Sequence, residues 1–352
     1  MKWNLLLVVI MGLSAACTQT RKEEIESDNT NDSLIVTTDN FARAESDMYF
    51  AAALKKPGAA LGKLGHDREI ASVDQQPVIR YNRDVLVSSG LFDLRAGPVT
   101  VKIPDPGNRV FSILVINEDH YNPIAEFGRG SYTLTEEGVG TRYAIVALRL
   151  FMNPNDPKDM AEAHTLQDSV KVEQPGGPGS FEIPIWDKRS QDRIRDSLLV
   201  LNRSISAFKG AFGKKGEVDP HLHLVGAAAG WGGNPENVAM YVNVNPPKND
   251  GKTVYKLHVP ANVPVDAFWS VALYNAKGYF EKNDLGVYNL NSTTSKKNKD
   301  GSVDIQFGGC DGKVSNCIPT VDGWNYVVRL YRPRKELLDG SWKFPEPQPL
   351  KY

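Results

Sequence analysis

The sequence has few cysteines, no excess of charge of either sign, and no long apolar run after residue 16. It holds three cysteines in 352 residues, and 41 lysines and arginines are balanced by 42 aspartates and glutamates, for a formal net charge of −1. A chain without a basic excess has no electrostatic preference for nucleic acid or for an anionic membrane surface. We therefore expect no nucleic-acid partner.

The common catalytic and nucleotide-binding motifs are missing as well. There is no Gly-x-Ser-x-Gly, no phosphate-binding loop, no His-Glu-x-x-His and no pair of Cys-x-x-Cys motifs. A serine hydrolase, a nucleotide-dependent enzyme or a zinc protease usually carries one of these, whereas a site assembled from scattered residues carries none. We expect no cofactor, and the sequence leaves open whether the protein is an enzyme.

The first 17 residues are typical of a secretion signal. Lys2 precedes an apolar run over residues 5–13, which leads through small residues to Cys17. This pattern predicts a signal peptide over residues 1–16, too short for a permanent membrane span. Residues 13–17, with the sequence LSAAC, resemble the bacterial lipobox, in which the cysteine becomes the lipidated first residue. The alternative is an ordinary secretory peptide with an incidental cysteine.

The lipobox predicts where the protein resides. Several acyl chains on Cys17 would make membrane attachment stable, because each buried methylene adds about 0.8 kcal/mol. Thr18 stands where an aspartate would retain a lipoprotein in the inner membrane of enteric bacteria. We expect a bacterial cell-envelope protein, lipid-anchored in the outer membrane, whose partner through Cys17 is the membrane itself.

The two remaining cysteines, Cys310 and Cys317, are expected to form a disulfide. The segment that joins them is rich in glycine, asparagine and serine, so the chain can reverse there and bring the sulfur atoms together. An exported protein is also in a compartment that permits disulfides. The alternative, a two-cysteine metal site, lacks a nearby pair of histidines, and we predict no metal.

Periodicity along the chain predicts a tether followed by β-rich and helical segments. Residues 17–33 are almost entirely polar and are expected to be a flexible tether. Helical spacing predicts helices over 40–56, 156–172 and 190–209. Short apolar, β-branched runs predict strands over 77–81, 84–91, 98–103, 109–117, 132–135, 141–151, 240–244, 253–259, 268–274, 303–307 and 324–331. In the last of these, Val327, Arg329 and Tyr331 share one face, as in a half-exposed antiparallel strand.

Several long motifs resemble a two-module bacterial family, domain of unknown function 1254 followed by domain of unknown function 1214. The amino-terminal matches are NFxRAE at 40–45, VIRYNRD at 78–84, FDL at 92–94 and GTRY at 140–143. The carboxy-terminal matches are AGWGGNP at 229–235, VPVDAFWS at 263–270, DIQFGGC at 304–310 and RLYRP at 329–333. The resemblance covers nearly the whole mature chain.

The resemblance implies a fold but no reaction. It implies a mainly β protein of two β-sandwich modules, the second jelly-roll-like, joined by a small helical segment. Together with the periodicity, it predicts an N-terminal β-sandwich over 34–174, a helical linking segment over 175–235 and a jelly-roll-like domain over 236–352. The family has no assigned activity, so the function is argued from the residues alone.

The densest polar cluster is Arg80, Asn82, Arg83 and Asp84, between two predicted strands. If the strand is continuous, Arg80, Asn82 and Asp84 share one face, and that face could bind an anion. The alternative is a buried Arg–Asp pair that holds a bend between strands.

Histidines beside carboxylates are the candidates for acid–base chemistry. His164 precedes Asp168 on a predicted helix, and Asp119 follows a predicted strand. On an extended chain His221 and His223 would point the same way, as metal ligands do, although no third ligand is evident beyond Asp219. The catalytic candidates are therefore His164, Asp119 and His223, and the alternative for each is a structural role.

Aromatic residues are the candidates for ligand stacking. Trp231, in a glycine-rich segment, and Trp269, in a predicted strand, could stack on a sugar ring, and Tyr121 lies at a predicted cleft. The alternative for each is core packing.

Three functions remain open. The first is a protein that binds a carbohydrate or small organic ligand in a cleft between the modules. The second is an envelope enzyme of hydrolase or lyase type that acts on a carbohydrate or ester. The third is a structural envelope protein that binds other proteins. Because no catalytic motif is present and sandwich modules commonly bind ligands, the sequence favours the first.

Overall fold

The computed structural model describes residues 33–56, 58–76, 78–205 and 207–350. The predicted signal peptide, the predicted lipidation site Cys17 and all but the last residue of the predicted tether lie outside the described residues. The described part is mainly β, which confirms the predicted fold class. No helix in this part is long and apolar enough to cross a membrane.

Six helices and sixteen strands make up the described part. The helices are α1 (Phe41–Leu54), α2 (Glu136–Val139), α3 (Pro157–Asp168), α4 (Lys188–Asn202), α5 (Pro220–Ala229) and α6 (Lys335–Leu338). The first eight strands are β1 (Gly65–His66), β2 (Val85–Asp93), β3 (Val99–Ile103), β4 (Phe111–Asn117), β5 (Ile124–Phe127), β6 (Gly130–Leu134), β7 (Tyr143–Phe151) and β8 (Lys171–Glu173). The others are β9 (Ala239–Val244), β10 (Tyr255–Val259), β11 (Trp269–Tyr274), β12 (Asn289–Asn291), β13 (Val303–Phe307), β14 (Cys317–Ile318), β15 (Asn325–Tyr331) and β16 (Gln348–Pro349).

The first module is a sandwich of two antiparallel sheets. Its five-stranded sheet has the order β1-β2-β7-β4-β5, and its three-stranded sheet has the order β6-β3-β8. Alternate residues of each strand enter the core between the sheets, among them Leu86, Val101, Ile113 and Val146. Helix α3 covers this core with Ala163.

The second module is a sandwich of two four-stranded sheets. The strand orders are β14-β13-β10-β16 and β12-β11-β15-β9, and the core between them includes Leu257, Val271, Ile305 and Val328. Cys310 and Cys317 form the predicted disulfide, with their Cα atoms 5.6 Å apart. The disulfide closes the loop between β13 and β14, which pair in parallel.

Three helices form a layer beside the modules. Phe41 and Ala44 of α1 pack with Leu198 of α4 and with Val225 of α5 in one apolar cluster. Farther along α1, Phe50 packs against the outer face of the first module's five-stranded sheet. Helix α1 therefore links the helical segment to the first module. The sequence analysis had assigned α1 to that module alone.

The facing sheets of the two modules are buried on both sides. In β15 all seven residues are buried, so the alternation predicted for Val327, Arg329 and Tyr331 is present, but the predicted solvent exposure is wrong. These three side chains face away from the second module's core, toward the first module. Between the modules, Phe268 packs on Phe151 and on Tyr331, with 4.1 Å between ring centroids in each case.

Three local predictions differ from the structure. Residues 78–81 form a turn rather than a strand, and Arg80 has a φ of +54°. His221 and His223 do not lie on an extended chain, because Asp219 caps α5 and Pro220 begins it. Two residues apart on a helix, these histidines point in different directions: His223 is buried and His221 is exposed. The predicted helix over 190–209 ends earlier, at Asn202.

Candidate functional site

The main cavity of the described part lies where the two modules and the helical layer meet. Its volume is about 500 Å³, within the range of about 300–1,000 Å³ that is usual for small-molecule sites. The outward faces of the two sheets form opposite walls, α1 forms a third, and the glycine-rich segment after α5 closes it. Most of the lining side chains are apolar or aromatic.

The first module contributes the outward faces of β2 and β7. Val87 is paired with Arg149, and Ser89 is paired with Ala147, so these four residues lie on one face of the sheet. Arg149 donates from Nη2 to the carbonyl oxygen of Gly232 at 2.7 Å and from Nη1 to Oδ1 of Asn234 at 3.2 Å. Arg149 thereby ties the first module to the segment that follows α5.

The second module contributes the outward faces of β9 and β15. Asn243 is paired with Val327, and Tyr241 is paired with Arg329, so these four residues also share a face. Arg329 is only 4% exposed. A charged side chain buried this deeply in an otherwise apolar strand is costly unless its donors are satisfied.

Helix α1 and Trp231 form an aromatic wall. Met48, Tyr49, Ala52 and Ala53 lie on the helix face that lines the cavity. The rings of Tyr49 and Trp231 are stacked with 4.5 Å between centroids. Burial, followed by the nearby charge of Glu45, raises the pKa of Tyr49 to about 12, so its hydroxyl group remains protonated at neutral pH.

The turn that carries Arg80 is held by contacts with the second module. The backbone N–H of Arg80 donates to the carbonyl oxygen of Gly278 at 2.8 Å, and Nη2 of Arg329 donates to the carbonyl oxygen of Arg80 at 2.7 Å. A positive φ is unfavourable for arginine, and such a conformation persists where the surroundings impose it. Here the second module fixes a residue of the first module at the cavity wall.

The predicted Arg80 cluster is divided by the structure. Arg80 and Asn82 line the cavity, and Nδ2 of Asn82 donates to the hydroxyl group of Tyr331 at 2.6 Å. Arg83 instead lies over the rings of Phe280 and Tyr288. The buried Asp84 accepts hydrogen bonds at Oδ1 from the side-chain amides of Asn289 and Asn291. It does not pair with an arginine.

Tyr121, Asp119 and His223 form a group behind Trp231 rather than on the cavity wall. The rings of Tyr121 and His223 are stacked at 4.5 Å. Both ring nitrogens of His223 face carbonyl oxygens, Nδ1 that of Ala211 at 3.1 Å and Nε2 that of Asp119 at 3.0 Å. The side chain of Asp119 pairs with Arg43. These contacts join β4, α1 and α5.

His120 positions the glycine-rich segment. It is fully buried with a φ of +65°, and its ring is stacked on Trp231. Nε2 accepts a hydrogen bond from the backbone N–H of Gly232 at 2.9 Å. Burial, and then the neighbouring His223, holds the pKa of His120 well below the ordinary histidine value, so the ring is neutral and can accept this bond.

The remaining candidates lie away from the cavity. Nε2 of His164 contacts the carbonyl oxygen of Arg68 at 2.8 Å, and Arg68 pairs with Asp168 on the outer side of the first module. Trp269 is buried in the second module's core against Phe344. Of the two predicted tryptophans, the structure therefore brings only Trp231 to the cavity.

Sequence reasoning missed the arginines at positions 149 and 329 and the amide of Asn243. The signal was present, since each is a polar residue within a run that is otherwise apolar and β-branched. In a half-exposed strand such a residue faces solvent and needs no explanation. It becomes informative only once both faces of the strand are known to be buried.

Comparisons with known proteins support the two-module organisation. Residues 61–174 match the model of a protein of unknown function, DUF1254, and residues 239–335 match the model of a second, DUF1214. The order of the two confirms the predicted arrangement. No protein of curated function matches the chain.

Two solved structures are similar in fold. The VPA0106 protein of Vibrio parahaemolyticus is 16% identical, with a TM-score of 0.67 over 89% of this chain and 98% of that one. A putative uncharacterized protein of Burkholderia cenocepacia is 13% identical, with a TM-score of 0.53 over 89% of this chain and 88% of that one. At these identities the likeness shows the fold alone.

Proposed function

We propose that this protein, which carries a DUF1254 and a DUF1214 module in tandem, is a binding protein that captures a small organic ligand between them. The observation that carries the proposal is the cavity of about 500 Å³ whose walls come from both modules and from the helical layer. An apolar cavity with a few convergent polar groups is the usual form of a small-molecule site.

The lining favours a ligand with an apolar or aromatic portion. Tyr49 and Trp231 offer a stacked pair of rings, and Ile145 and Ala147 offer an aliphatic surface opposite the polar wall of the second module. The glycines at 230 and 233 let the ring of Phe212, which also lines the cavity, pack closely against the backbone. A sugar ring could stack on Trp231, but these mostly apolar walls offer few hydrogen-bond partners for its hydroxyl groups.

A thermal-shift screen tests the proposal. The chain from residue 18 onward is melted with mono- and oligosaccharides, short-chain esters, organic acids and divalent metals, with a chelator control. A ligand that binds the native state at about 100 times its Kd adds about 2.7 kcal/mol to the free energy of unfolding. We expect a shift in melting temperature with an organic compound. No shift with any class would contradict a binding function.

Trp231→Ala is expected to abolish most of that shift, because the variant removes the aromatic wall of the cavity. Its matched control is Trp342→Ala, which removes a half-buried tryptophan packed against the second module's core. Both variants should melt at lower temperature than the parent protein, but only Trp231→Ala should lose the response to ligand. Equal loss in both would show that the cavity is not the binding site.

We also propose that the two modules are held at the outer membrane by a lipid on Cys17, as the LSAAC run and Thr18 suggest. In an enteric host, Cys17→Ser should move the protein from the membrane fraction to the soluble periplasmic fraction. Thr18→Asp should shift it from the outer to the inner membrane, with Thr18→Ser as the control. Membrane attachment that survives Cys17→Ser would overturn the anchor.

A further inference from the structure

The cavity carries an excess of positive charge. Lys56, Arg80, Arg149 and Arg329 line it, and none of the described lining residues is an aspartate or a glutamate. Elsewhere in the described chain, several half-buried arginines have carboxylate partners, such as Arg142 with Asp93 and Arg195 with Glu45. Arg149 and Arg329 instead donate to backbone carbonyl oxygens, and neither forms an ion pair in the described part of the chain.

Two of these charges have a carboxylate nearby: Nζ of Lys56 lies 3.9 Å from Oδ2 of Asp67, and Arg329 lies near Asp84. Burial lowers the pKa of Arg329, but Tyr274 and, more weakly, Asp84 raise it, with a net rise. Burial lowers the pKa of Arg80, Tyr274 opposes this to a lesser extent, and the charge of Arg329 lowers the pKa further. Nη2 of Arg329 donates to the backbone carbonyl oxygen of Arg80, so the two cationic residues are in contact, and an anion between their side chains would offset their like charges.

Two hydrogen-bond donors on the second module's wall and one on the adjoining Arg80 turn are left without partners in the described part of the chain. They are Nε of Arg80, Nη1 of Arg329 and Nδ2 of Asn243. Asn243 pairs with Val327, two residues from Arg329 on the same face of the sheet, and Arg329 contacts the backbone of Arg80. A buried donor without a partner costs about 1–3 kcal/mol, and these donors are close together.

The opposite side of the cavity is mostly apolar, apart from Lys56 just after α1 and Arg149 on the first module's wall. Met48, Tyr49 and Trp231 lie on the side of α1, and Ile145 and Ala147 lie on the first module's wall. A ligand that fills the cavity therefore meets cationic donors at one end and aromatic and aliphatic surface at the other. At about 30 Å³ for each water-sized group, the volume corresponds to roughly 17 non-hydrogen atoms.

We propose that the ligand is an amphipathic monocarboxylate, whose carboxylate accepts hydrogen bonds from Arg80, Arg329 and Asn243 and whose apolar body packs against Tyr49 and Trp231. A guanidinium group presents paired N–H donors that match the two oxygens of a carboxylate. The inference rests on the proposed binding function and specifies the chemical class of the ligand.

A chain-matched series tests the head group. Binding of decanoate, 1-decanol and decylamine to the chain from residue 18 onward is measured by isothermal titration calorimetry at neutral pH. The three probes share the same alkyl chain, so differences in affinity report on the head group alone. We expect decanoate to bind at least tenfold more tightly than 1-decanol, and decylamine to bind more weakly than both.

Two variants locate the head group. Arg80→Gln should weaken decanoate binding at least tenfold and leave 1-decanol binding within twofold. Asn243→Asp places a negative charge at the same wall without removing a hydrogen bond of the described structure, and it should weaken decanoate and strengthen decylamine. The control, Arg129→Gln, removes an equal charge at a side chain that is 76% exposed, and it should change neither affinity. Circular dichroism and melting temperature establish that each variant is folded.

The outcomes separate the ligand class from the binding function itself. Equal affinities for decanoate and 1-decanol, or tightest binding of decylamine, would overturn the carboxylate inference while leaving a ligand-binding cavity. Binding of none of the three would also overturn it, whereas the broader thermal-shift screen would then decide whether the cavity binds anything. If Arg80→Gln does not fold, the reversal of preference in Asn243→Asp decides the question.

Discussion

At the scale of single residues, the polar groups of this protein are buried where the helical layer meets the modules. On α1, Asp47 has no exposed surface, and its Oδ2 accepts a hydrogen bond from Nε1 of Trp186 at 2.8 Å while Oδ1 has no partner in the described part of the chain. Burial, and to a lesser extent the charge of Glu118, raises the pKa of Asp47 to about 6. The carboxyl group is thus easier to bury protonated than ionised.

Asp47→Asn is expected to stabilise the protein above pH 6. The unfolded state ionises Asp47 near pH 3.8 and the folded state near pH 6, so the wild-type protein loses stability as the pH rises between these values. A shift of about two units corresponds to about 3 kcal/mol. Urea unfolding at pH 8 should show a gain of up to about that size, and the gain should shrink as the pH falls through 6 and vanish near 4.

Comparing Asp47→Asn with the wild-type protein separates the pH dependence of stability due to Asp47 from that due to His120, which has the opposite sign. The pKa of His120 is lowered in the folded state, so the unfolded state binds a proton first and both proteins lose stability as the pH falls below about 6.5. This loss is common to both proteins and cancels in the difference. A gain for Asp47→Asn that is independent of pH would contradict the raised pKa.

At the scale of elements, the sequence predicted those helices and strands that interactions between residues near in sequence determine. The helical spacing of apolar residues predicted α1, α3 and most of α4, and short β-branched runs predicted the central strands of both modules. Helix α5 was missed although Asp219 followed by Pro220 is a usual helix start. The alternation of His221 and His223 suggested an extended chain over these residues instead.

The turn at Arg80 could not be predicted, because long-range contacts impose it. Residues 78–81 have the composition of a strand, yet the backbone of Arg80 is held by Gly278 and Arg329, about 200 and 250 residues away along the chain. In the same way, the alternation in β15 was predicted but its burial was not, since no local pattern shows that another sheet covers the second face. The cavity follows from that covering, so its full set of residues was not predictable.

Gly278→Ala tests the element that holds this turn. Gly278 has a φ of +82°, and an added Cβ atom would lie 2.6 Å from Cγ1 of Ile79. The control, Gly340→Ala, has a similar φ of +78° but meets no atom within 4 Å. Each should lose about 1 kcal/mol from the positive φ, and Gly278→Ala should lose a further 1–3 kcal/mol or so from the clash.

The binding readout separates a structural effect from a functional one. Displacement of the turn should also move Arg80, so Gly278→Ala should weaken decanoate binding while Gly340→Ala does not. Urea unfolding and calorimetry measure the two effects. Equal stability losses in both variants would show that the turn tolerates the added methyl group and does not fix Arg80.

At the scale of the whole molecule, the cavity exists because two sandwiches with separate cores are held face to face. The cores of the modules share no residue, and the helical layer has a third cluster of its own. The contacts between the modules include Phe268, which packs on Phe151 of the first module and on Tyr331 of its own. This contact lies beside the cavity, so the same interface that joins the modules also defines the site.

Phe268→Ala is therefore expected to uncouple the modules as well as to destabilise the chain. Loss of a buried phenylalanine costs about 3–5 kcal/mol, and here part of that loss falls on the interface. The control is Phe307→Ala, which removes a fully buried ring from the second module's own core. Differential scanning calorimetry should show a transition that splits in Phe268→Ala. In Phe307→Ala, by contrast, the ring that is lost belongs to one core, and the interface between the modules stays intact.

Ligand binding gives this comparison a second readout. Because both walls of the cavity must be in place to hold a ligand, Phe268→Ala should lose ligand affinity even at temperatures where both modules remain folded. Phe307→Ala, measured well below its own transition, should keep it. If Phe268→Ala melts in one transition and binds as the parent protein does, then the helical layer rather than the Phe268 contact sets the spacing of the two sheets.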